Sequence, residues 1–569
     1  MPDSPDAHEM FKAVSKKTDE SEFFTSFPKG YQKGRTKYVV ITGTVISGVG
    51  KGTISSSVGT LLKLFHGFKV SPIKFDGYLN YDAGTLNPYR HGEVFVLDDG
   101  TECDLDLGTY ERMMNTSFSK SNYLTSGKIF KTIIDKERAG KYLGRDVQFI
   151  PHVTGEIKGF LRSLAVGSDA DIVMVEVGGT VGDIENSYFM EAMRELAYEE
   201  GKENVCFITV TYILQPHSLG EHKSKAAQLG LRTLMGMGIQ PDIVICRSET
   251  PVSDKIREKI SIYSNVPMER VINCYDIDNI YKIPLFLKDA GMDEEIIKIL
   301  KLGKREGNSR EEYHKWEDLV RKINSAKREV TIGIVGKYTT VHDSYLSILK
   351  AIEHTAPYVG AKPTIKWIEA TNVTRDNVKQ KMEGMDGIIV PGGFGERGTE
   401  GKIECIRYAR ENDLPYFGLC FGFQMAVIEF SRNVCGLKGA NSTEIDDETP
   451  HPVICILPEQ GEIKGLGGTM RLGGFDLAIE KGSFAHKLYG KDHARERFRH
   501  RWNVNTKYIE ALEKNGMVFS GRAPEKKIMQ ILELPDKRFF LGTQFHPELT
   551  SRPINPHPLF RGFLEACLK

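Results

Sequence analysis

The chain has 569 residues, which is too long for a single hydrophobic core and suits two domains. Its 76 Lys and Arg residues equal its 76 Asp and Glu residues, a balance that argues against a nucleic-acid-binding protein. The nine cysteines form no CxxC pair, and no run reaches the roughly 18 apolar residues of a membrane span, so we expect reduced thiols, a cytoplasmic location and no membrane attachment.

The N-terminal half begins with a polar stretch of mixed charge, and we interpret residues 1–35 as a disordered extension. From residue 36 to residue 300, short apolar runs such as KYVVITGT, DIVMVEVGG, VCFITVTYIL and PDIVICRS alternate with glycine-rich turns and helical stretches. This alternation predicts an α/β domain with a doubly wound, mostly parallel sheet of the P-loop-like or Rossmann-like kind.

A glycine-rich turn follows the first predicted strand in GTVISGVGKGTISSS and ends at Lys51, where a helix begins. Backbone amides, a helix N-terminus and a lysine together suit nucleotide phosphates. The turn is not a regular P-loop, which would need glycine at Val45 and Ser or Thr at Gly52. A tight turn without a ligand remains the alternative.

Acidic residues accompany this turn. HGEVFVLDDGTECDLDLGTYERM contains Asp104 and Asp106, and VMVEVGGTVGDIE contains Glu176 at the end of an apolar run. Carboxylates of this kind suit Mg²⁺ that bridges phosphates. A solvated surface acid or helix cap is the alternative for Asp106, whereas Glu176 within an apolar run is harder to explain structurally.

Residues 301–328 are highly charged, with Trp316, Leu319, Val320 and Ile323 at helical spacing, and predict a linker with one amphipathic helix. A second βα series then runs from residue 329 to residue 569 through VTIGIVG, DGIIVPGGFG, LPYFGLC, MQILEL and RFFLGTQF. It predicts a second doubly wound, mostly parallel, flavodoxin-like domain.

Cys420 lies in LPYFGLCFGFQMAVIEF, between an apolar strand and a helix, with glycine two residues away on either side. This pattern predicts a nucleophile elbow with cysteine as the nucleophile. GTQFHPE supplies His546 as the base and Glu548 to orient it. The glycines of PGGFGERG, Pro391 to Gly398, are candidates for oxyanion binding. The alternatives are a buried structural cysteine and a plain tight turn.

PGGFG, GLCFGFQ, NSTE and FHPE resemble the class I, triad-type glutamine amidotransferase domain over about Val330 to Lys569. The resemblance implies a glutamyl thioester on Cys420 and release of ammonia. It also implies glutamine binding by Gly393, Phe421, Gly422, Phe423, Gln424, Glu444 and Arg501, the arginine pairing with the substrate α-carboxylate.

The N-terminal half resembles the synthetase domain of the CTP synthase family in KFDGYLNYDAGTLNPYRHGEVFVLDDGTECDLDLGTYERM, EVGGTVGDIE, GIQPDIVICRS and DNIYKIP. The family makes CTP from UTP, ATP and glutamine: ATP phosphorylates the 4-oxygen of UTP, and ammonia displaces the phosphate. The resemblance therefore implies Mg²⁺, two lysines that contact the transferring oxygens, Lys51 and Lys74, and metal ligation by Asp106 and Glu176.

The same resemblance implies the remaining nucleotide contacts. ATP is expected at Gly48, Val49, Gly50, Lys51, Gly52, Thr53, Asp106, Tyr275, Asp276 and Ile277. UTP and the inhibitory product CTP are expected at Ser47, Asp183, Ile184, Glu185, Lys223, Ser224, Lys225, Ala226, Ala227, Gln228 and Lys259. An ordinary surface lysine is the alternative for Lys225.

The chain departs from the family pattern in three places: KSKAAQ replaces KTKPTQ, FDGY replaces IDPY, and an extra residue lies between Lys51 and Lys74. The resemblance also implies activation by GTP, with Arg397 and GGTMRLGG as candidate contacts, although Leu86 replaces the usual aromatic residue. It implies a homotetramer with possible filaments.

Two other interpretations remain. One is another ATP-dependent glutamine amidotransferase, such as one that acts on a cobalamin precursor, against which HGEVFVLDDG and its following acids stand. The other is an inactive, regulatory or filament-forming homologue. The presence of all seven residues predicted to take part in catalysis argues against it: Cys420, His546, Glu548, Lys51, Lys74, Asp106 and Glu176.

Overall fold

The computed structural model of the chain describes residues 27–142, 144–216, 220–303, 305, 309–337, 341–456, 470–524 and 527–569. These residues form two compact units. The first extends to Asp82 and resumes at Ser121–His314; the second comprises Ala83–Lys120 and Lys315–Lys569. Residues 83–120 therefore pack with the C-terminal half, although the sequence analysis assigned them to the first domain. The predicted functional ranges of the domains remain predictions.

The predicted N-terminal extension is described only in part, since Met1 to Ser26 lie outside the described residues. The Tyr31 and Tyr38 hydroxyls lie 2.8 Å apart, and the Arg162 guanidinium lies 4.3 Å from the Phe27 ring centre. Packing onto the first unit therefore begins inside the stretch that was assigned to the extension.

The first unit contains a parallel sheet of seven strands, as the alternating pattern predicted. In chain order the strands are Lys37–Gly43, Val70–Asp76, Tyr123–Thr125, Ile172–Val177, Val205–Tyr212, Ile243–Ser248 and Val271–Tyr275. Their order across the sheet is 3-2-4-1-5-6-7, with all neighbours parallel. The carboxyl ends of all seven strands therefore meet at one edge, where ligands bind in such sheets.

Helices connect these strands and cover the sheet. They are Lys51–Thr60, Ser126–Arg138, Thr154–Gly167, Ser187–Glu200, Lys225–Gly236, Asp254–Ser264, Ile283–Asp289 and Met292–Ile299. The strand Ile172–Val177 is buried along its whole length and its register places Lys37 opposite Ile172. This burial explains why the strands read as continuous apolar runs.

The second unit contains a sheet of nine strands. They are Arg328–Gly336, Ala361–Glu369, Gly387–Val390, Tyr416–Leu419, Arg471–Ile479, His493–His500, Val518–Arg522, Met529–Glu533 and Phe540–Thr543. Their order is 2-1-3-4-9-8-7-5-6; the first five positions are parallel and the rest antiparallel. The parallel part has the flavodoxin-like order that the sequence predicted.

The helices of the second unit are Pro88–His91, Leu105–Met114, Leu346–Thr355, Val378–Met382, Thr399–Glu411, Phe421–Asn433, Phe484–Tyr489, Ile509–Lys514 and Pro558–Cys567. Two smaller sheets contain Ala440–Ser442, His451–Ile456 and Trp502–Val504, and Phe95–Val96 with Glu102–Cys103. The helix Ser309–Ser325 buries Trp316 and Leu319, in agreement with the amphipathic spacing. The two large sheets thus match the predicted α/β class.

All nine cysteines are free thiols, and among the described residues no helix is long and apolar enough to cross a membrane.

Candidate active site

Cys420 occupies the predicted elbow between the strand Tyr416–Leu419 and the helix Phe421–Asn433. Its φ of 50° lies in the left-handed region, which is strained for a residue with a side chain and typical of a nucleophile elbow. The Cys420 N–H donates to the Thr543 carbonyl at 2.6 Å. The side chain is 3% exposed, and Sγ lies 3.6 Å from the Arg499 carbonyl oxygen and 3.6 Å from Gln544 Nε2.

The flanking glycines are needed for space. A Cβ on Gly422 would lie 2.1 Å from the Val390 carbonyl oxygen, and one on Gly418 would lie 2.3 Å from the Tyr416 hydroxyl. Helix and strand can approach this closely only without side chains at these positions. The small residues that marked the elbow in the sequence therefore serve its packing.

We expect Gly422→Ala to destabilise the second unit by about 3 kcal/mol, because the Val390 carbonyl belongs to a central strand that cannot move away. Urea unfolding would measure the loss, and glutamine hydrolysis should fall with it. Gly167→Ala is the matched control, since a Cβ there meets no atom within 4 Å. Equal stability of the two variants would contradict the packing argument.

His546 and Glu548 form the second part of the site. The strand Phe540–Thr543 ends just before them, and His546 Nδ1 lies 2.7 Å from Glu548 Oε1. Burial alone lowers the pKa of His546, but the charges of Glu548 and Cys420, with the hydrogen bond to Glu548, outweigh it and raise the pKa to about 10. The imidazole thus lies between a carboxylate and the cysteine, the arrangement of a thiol nucleophile with its base.

The glycine loop after the strand Gly387–Val390 lies beside these residues. A Cβ on Gly392 would lie 2.9 Å from His546 Cε1 and 3.7 Å from the Cys420 Cβ. A side chain at Gly392 would therefore collide with the imidazole, so the loop backbone can approach the reacting sulfur closely. Gly392 is one of the glycines of PGGFGERG that the sequence offered as candidates for oxyanion binding.

A cavity of about 270 Å³ opens beside the cysteine. Its walls include the Cys420, His546 and Glu548 side chains and the loop Gly392–Phe394, together with four residues of the segment 83–120: Leu86, Glu93, Val94 and Val96. Burial raises the pKa of Glu93 despite the opposing charge of Arg112. Residues from the N-terminal half of the sequence thus complete the wall of a site whose reactive groups lie in the C-terminal half.

The residues predicted to hold glutamine lie around the elbow. Gln424 is buried and its Nε2 donates to the Trp502 carbonyl at 3.0 Å. Glu444 Oε1 accepts from the Gly395 N–H at 2.9 Å. Burial raises the pKa of Glu444, an effect that this hydrogen bond and the charges of Lys337 and Arg501 oppose. Glycine loop, elbow helix, Glu444 and Arg501 are therefore all parts of one unit.

Lys402 is a site neighbour that sequence reasoning missed. Its side chain is buried in the helix Thr399–Glu411, and Nζ lies 4.7 Å from the Phe421 ring centre. Burial, with the charge of Lys337, lowers the pKa of Lys402 to about 7. GTEGKI reads as an ordinary helix start, so no signal in the sequence indicated a buried lysine here.

The first unit contains the predicted phosphate loop. It joins the strand Lys37–Gly43 to the helix Lys51–Thr60, and Val45, Gly48 and Gly50 have positive φ. Ser47 and Gly48 are exposed at its tip, whereas Lys51 is buried and its Nζ donates to the Gly179 carbonyl at 2.6 Å. An open loop at a helix N-terminus at the carboxyl edge of the sheet is the geometry that phosphates use.

Lys74 and Glu176 are register partners on adjacent parallel strands. Lys74 Nζ lies 2.9 Å from Glu176 Oε1 and 3.8 Å from Asp76 Oδ1, and all three side chains are at most 11% exposed. Buried charges of this kind are rare unless paired or functional. Asp76 was not predicted, although KFDGY places it at the end of its strand.

Three further groups follow strands of this unit, and the first of them follows Ile172–Val177, the strand that contains Glu176. Asp183, Ile184 and Glu185 are exposed, and Asp183 Oδ2 accepts from the Thr180 N–H at 2.6 Å. In the second group, Lys223 pairs with Glu221, and Gln228 Nε2 donates to Ser224 Oγ at 3.0 Å. The pKa of Glu221 is lowered chiefly by Lys223 and to a smaller extent by the charge of Lys259. Lys259 therefore lies near Glu221 and Lys223.

The third group follows the strand Val271–Tyr275. The Arg247 guanidinium donates to the Tyr275 carbonyl at 3.1 Å and to Asp276 Oδ1 at 2.6 Å. A Cβ on Gly50 would lie 3.4 Å from Arg247 Nε. Arg247, which sequence reasoning missed, therefore joins the loop to the predicted adenine contacts; its place at a strand end in VICRS was the available signal.

Asp106 lies in the second unit, in the first turn of the helix Leu105–Met114. Asp104 is the N-cap of this helix and its Oδ1 accepts from the Asp106 N–H at 3.1 Å. The residue that caps this helix is thus Asp104 and not Asp106, for which a helix cap was the alternative interpretation. Asp106 is a half-buried acid in the first turn.

A cysteine elbow with a His–Glu pair in one α/β unit and a phosphate-type loop in another define a class of enzyme, the glutamine-dependent amidoligases. The family model described as class I glutamine amidotransferase matches residues 340–566. The model described as CTP synthase N-terminus matches residues 37–302.

Curated relatives are similar over nearly the full length. The CTP synthase of Pyrococcus furiosus is 52% identical over 533 residues, which is 94% of this chain and 98% of the relative. The CTP synthase of Methanosarcina acetivorans is 48% identical over 534 residues, again 94% and 98%. A solved glutaminase domain of Trypanosoma brucei CTPS with bound acivicin is 39% identical and covers 42% of this chain and 93% of its own, with a TM-score of 0.40. The chain belongs to the CTP synthase family, and it is an ATP-dependent ligase that uses glutamine.

Proposed function

We propose that the protein converts UTP to CTP through a 4-phosphorylated UTP intermediate, with ammonia released from glutamine in the second unit and consumed in the first. The observation that carries the proposal is the presence of both half-sites in one chain. Cys420 sits at a strained elbow against a His546–Glu548 pair, and Lys74 and Glu176 pair at the carboxyl edge of a parallel sheet.

In the glutaminase half, the Cys420 thiolate attacks the glutamine amide carbon and His546 donates the proton that the departing ammonia needs. The raised pKa of His546 keeps it protonated for that step. Backbone amides of the Gly393 loop and of Phe421 stabilise the oxyanion. Glutamine is held by Phe421 to Gln424, Glu444 and Arg501, and water then hydrolyses the thioester.

In the synthetase half, Ser47 to Thr53 receive phosphates and Tyr275 to Ile277 the adenine. Lys51 and Lys74 neutralise charge on the transferring phosphoryl group. UTP, or CTP as inhibitor, binds at Asp183 to Glu185, Lys223 to Gln228 and Lys259. The departures in KSKAAQ and FDGY bear on this nucleotide site.

Magnesium fits the residues present, because Glu176 and Asp76 supply buried carboxylate oxygens beside Lys74, and oxygen ligands are those that Mg²⁺ prefers. Glu176 would hold it, whereas Asp106, the second acid predicted from the sequence, belongs to the second unit. Bound there, Mg²⁺ would neutralise negative charge on the phosphates.

GTP activation, with Arg397 as a candidate contact, is part of the same proposal. Arg397 donates to the Lys337 carbonyl at 3.3 Å, beside the glycine loop. The other predicted GTP contact, GGTMRLGG, begins at residues that lie outside the described part of the chain. A homotetramer, filaments and a cytoplasmic location remain proposals from the family resemblance.

The direct test is CTP formation, followed by absorbance, from UTP, ATP and Mg²⁺ with either glutamine or ammonium chloride. We expect CTP from both nitrogen sources, stimulation by GTP of the glutamine-fed reaction alone, and inhibition by CTP. Failure to form CTP from either source would overturn the proposal.

Glu548→Gln should lower glutamine hydrolysis by about 100-fold or more, because the carboxylate that orients His546 and raises its pKa is removed. Alkylation of Cys420 by iodoacetamide at pH 7 should slow in parallel. Since the folded-state pKa of about 10 exceeds the usual 6.5, protonated His546 stabilises the fold fully below pH 6.5, and this stabilisation is lost as the pH rises toward 10.

When the pH is raised from 6.5 to 10, Glu548→Gln should therefore lose less stability than the wild type does, and thermal unfolding would measure this difference. Glu565→Gln, which removes an exposed carboxylate paired with Arg561, is the control. An unchanged rate and unchanged pH dependence in Glu548→Gln would refute the role of this carboxylate.

A further inference from the structure

The strand His493–His500 pairs with the segment 83–120 through three arginines. Arg495, Arg497 and Arg499 alternate along the strand, so their side chains lie on one face. Arg495 Nη2 lies 3.0 Å from Asp98, Arg497 Nη1 lies 2.7 Å from Glu111, and Arg499 Nη2 lies 2.8 Å from Glu102. Each arginine of this face thus has a carboxylate partner on the segment.

The same strand contacts the reactive residues through its backbone. The His546 N–H donates to the Arg497 carbonyl at 2.8 Å, and the Arg499 carbonyl oxygen lies 3.6 Å from Cys420 Sγ. Any displacement of this strand therefore moves the backbone of His546 and the groups around Cys420 Sγ. Arg495 makes neither contact.

Glu111 holds two elements at once. Its carboxylate accepts from Arg497 at 2.7 and 3.0 Å and from Arg552 at 2.7 Å, and it also accepts from the Phe118 N–H at 2.8 Å. Arg552 donates in turn to the Leu549 and Ser551 carbonyls, in the turn that follows Glu548. One buried carboxylate thus connects the strand behind His546 with the loop that carries Glu548.

Glu111 is the carboxylate between two buried guanidinium groups, so its replacement would leave their charges without this partner. Glu111 is fully buried, and Arg497 and Arg552 are at most 6% exposed. Burial lowers the pKa of Arg552 to about 10, with Glu111 acting against that effect. Without the carboxylate, two buried guanidinium groups would face each other, and the strand and loop would separate.

We propose that Glu111 is a positioning residue of the glutaminase: through Arg497 and Arg552 it fixes the strand and loop that hold His546 and Glu548 against Cys420. The inference rests on the proposed glutaminase function. Glu111 lies outside residues 340–566, which the class I amidotransferase model matches. The glutaminase of this chain is therefore complete only with the segment 83–120 in place.

The test uses the full-length protein and the variant Glu111→Asp, which keeps the charge but is one methylene shorter and cannot reach both arginines. We expect kcat for glutamine hydrolysis to fall about 10- to 100-fold, because displacements of about 1 Å have effects of that size. KM for glutamine and the ammonium-fed rate of CTP formation should stay within about twofold. Glu111→Gln, if it folds, should show a fall at least as large.

Asp98→Asn is the matched control. It removes the carboxylate partner of Arg495, a pair that is half exposed, and should leave glutamine hydrolysis within about twofold of the wild type. An unchanged kcat in Glu111→Asp, or an equal loss of the ammonium-fed rate, would overturn the positioning role. A wild-type protein that hydrolyses no glutamine would instead overturn the proposed function itself.

Discussion

Replacing Cys420 by alanine is expected to lower glutamine-fed CTP formation by at least about 10³-fold and to leave the ammonium-fed rate unchanged. Cys420 lies at a strained elbow and is 3% exposed, beside His546, whose pKa is raised to about 10. Cys420 is the cysteine that lines the cavity beside the glycine loop. The four rates, for two proteins and two nitrogen sources, are measured in one absorbance assay.

Cys405→Ala is the control for this experiment. Cys405 is a buried free thiol on the helix Thr399–Glu411 and makes a packing contribution without reaching the glycine loop or the imidazole through any hydrogen bond that the structure describes. It should keep both rates. If Cys420→Ala lost the ammonium-fed rate as well, Cys420 would be needed for the stability of the whole protein and not specifically for the release of ammonia.

Glu176→Gln should have the second large effect, a loss of at least about 100-fold in CTP formation from glutamine and from ammonium alike. Its carboxylate is almost completely buried and 2.9 Å from Lys74 Nζ, at the edge where the phosphate loop ends. The amide keeps the shape but removes the charge that would hold Mg²⁺. Basal glutamine hydrolysis should remain, because its reactive groups all belong to the other unit.

Loss of stability must be separated from loss of chemistry, because breaking a buried ion pair costs about 3 kcal/mol. Glu200→Gln provides the comparison: Glu200 pairs with Arg162 at 2.7 Å, and both side chains are fully buried. Glu200 precedes the strand Val205–Tyr212, at the amino edge of the sheet, away from the strand ends that form the site. Glu200→Gln should lose about as much stability as Glu176→Gln but keep its activity per folded molecule. An ammonium-fed rate of Glu176→Gln equal to that of Glu200→Gln would contradict the assigned role.

Much of the site was predictable because its features are local. The elbow around Cys420 needs a strand, two small residues and a helix within a dozen positions, and these show in the sequence as glycines that flank a cysteine after an apolar run. The glycine-rich loop before Lys51, predicted to bind phosphate, is local in the same way. The buried strands were predictable because burial on both faces requires continuous apolar runs.

Contacts between distant segments could not be predicted in this way. Glu111 and Arg552 lie 441 positions apart, and an acid in TYERM reads as one face of a helix. Arg497 in ARERFRHRW reads as a charged edge strand, although its side chain is buried. Lys402 and Gly392 likewise gained their surroundings only through packing of separate elements.

The sequence by itself determined the α/β class, the elbow, the glycine-rich loop before Lys51 and the family resemblance, because each depends on the order of neighbouring residues. Only the tertiary structure decided that the segment 83–120 packs into the second unit, that Glu111 joins Arg497 to Arg552, and that Asp76 shares a buried site with Lys74 and Glu176. The physical reason is that burial and ion pairing depend on which distant segments meet, and composition and spacing along the chain do not record that.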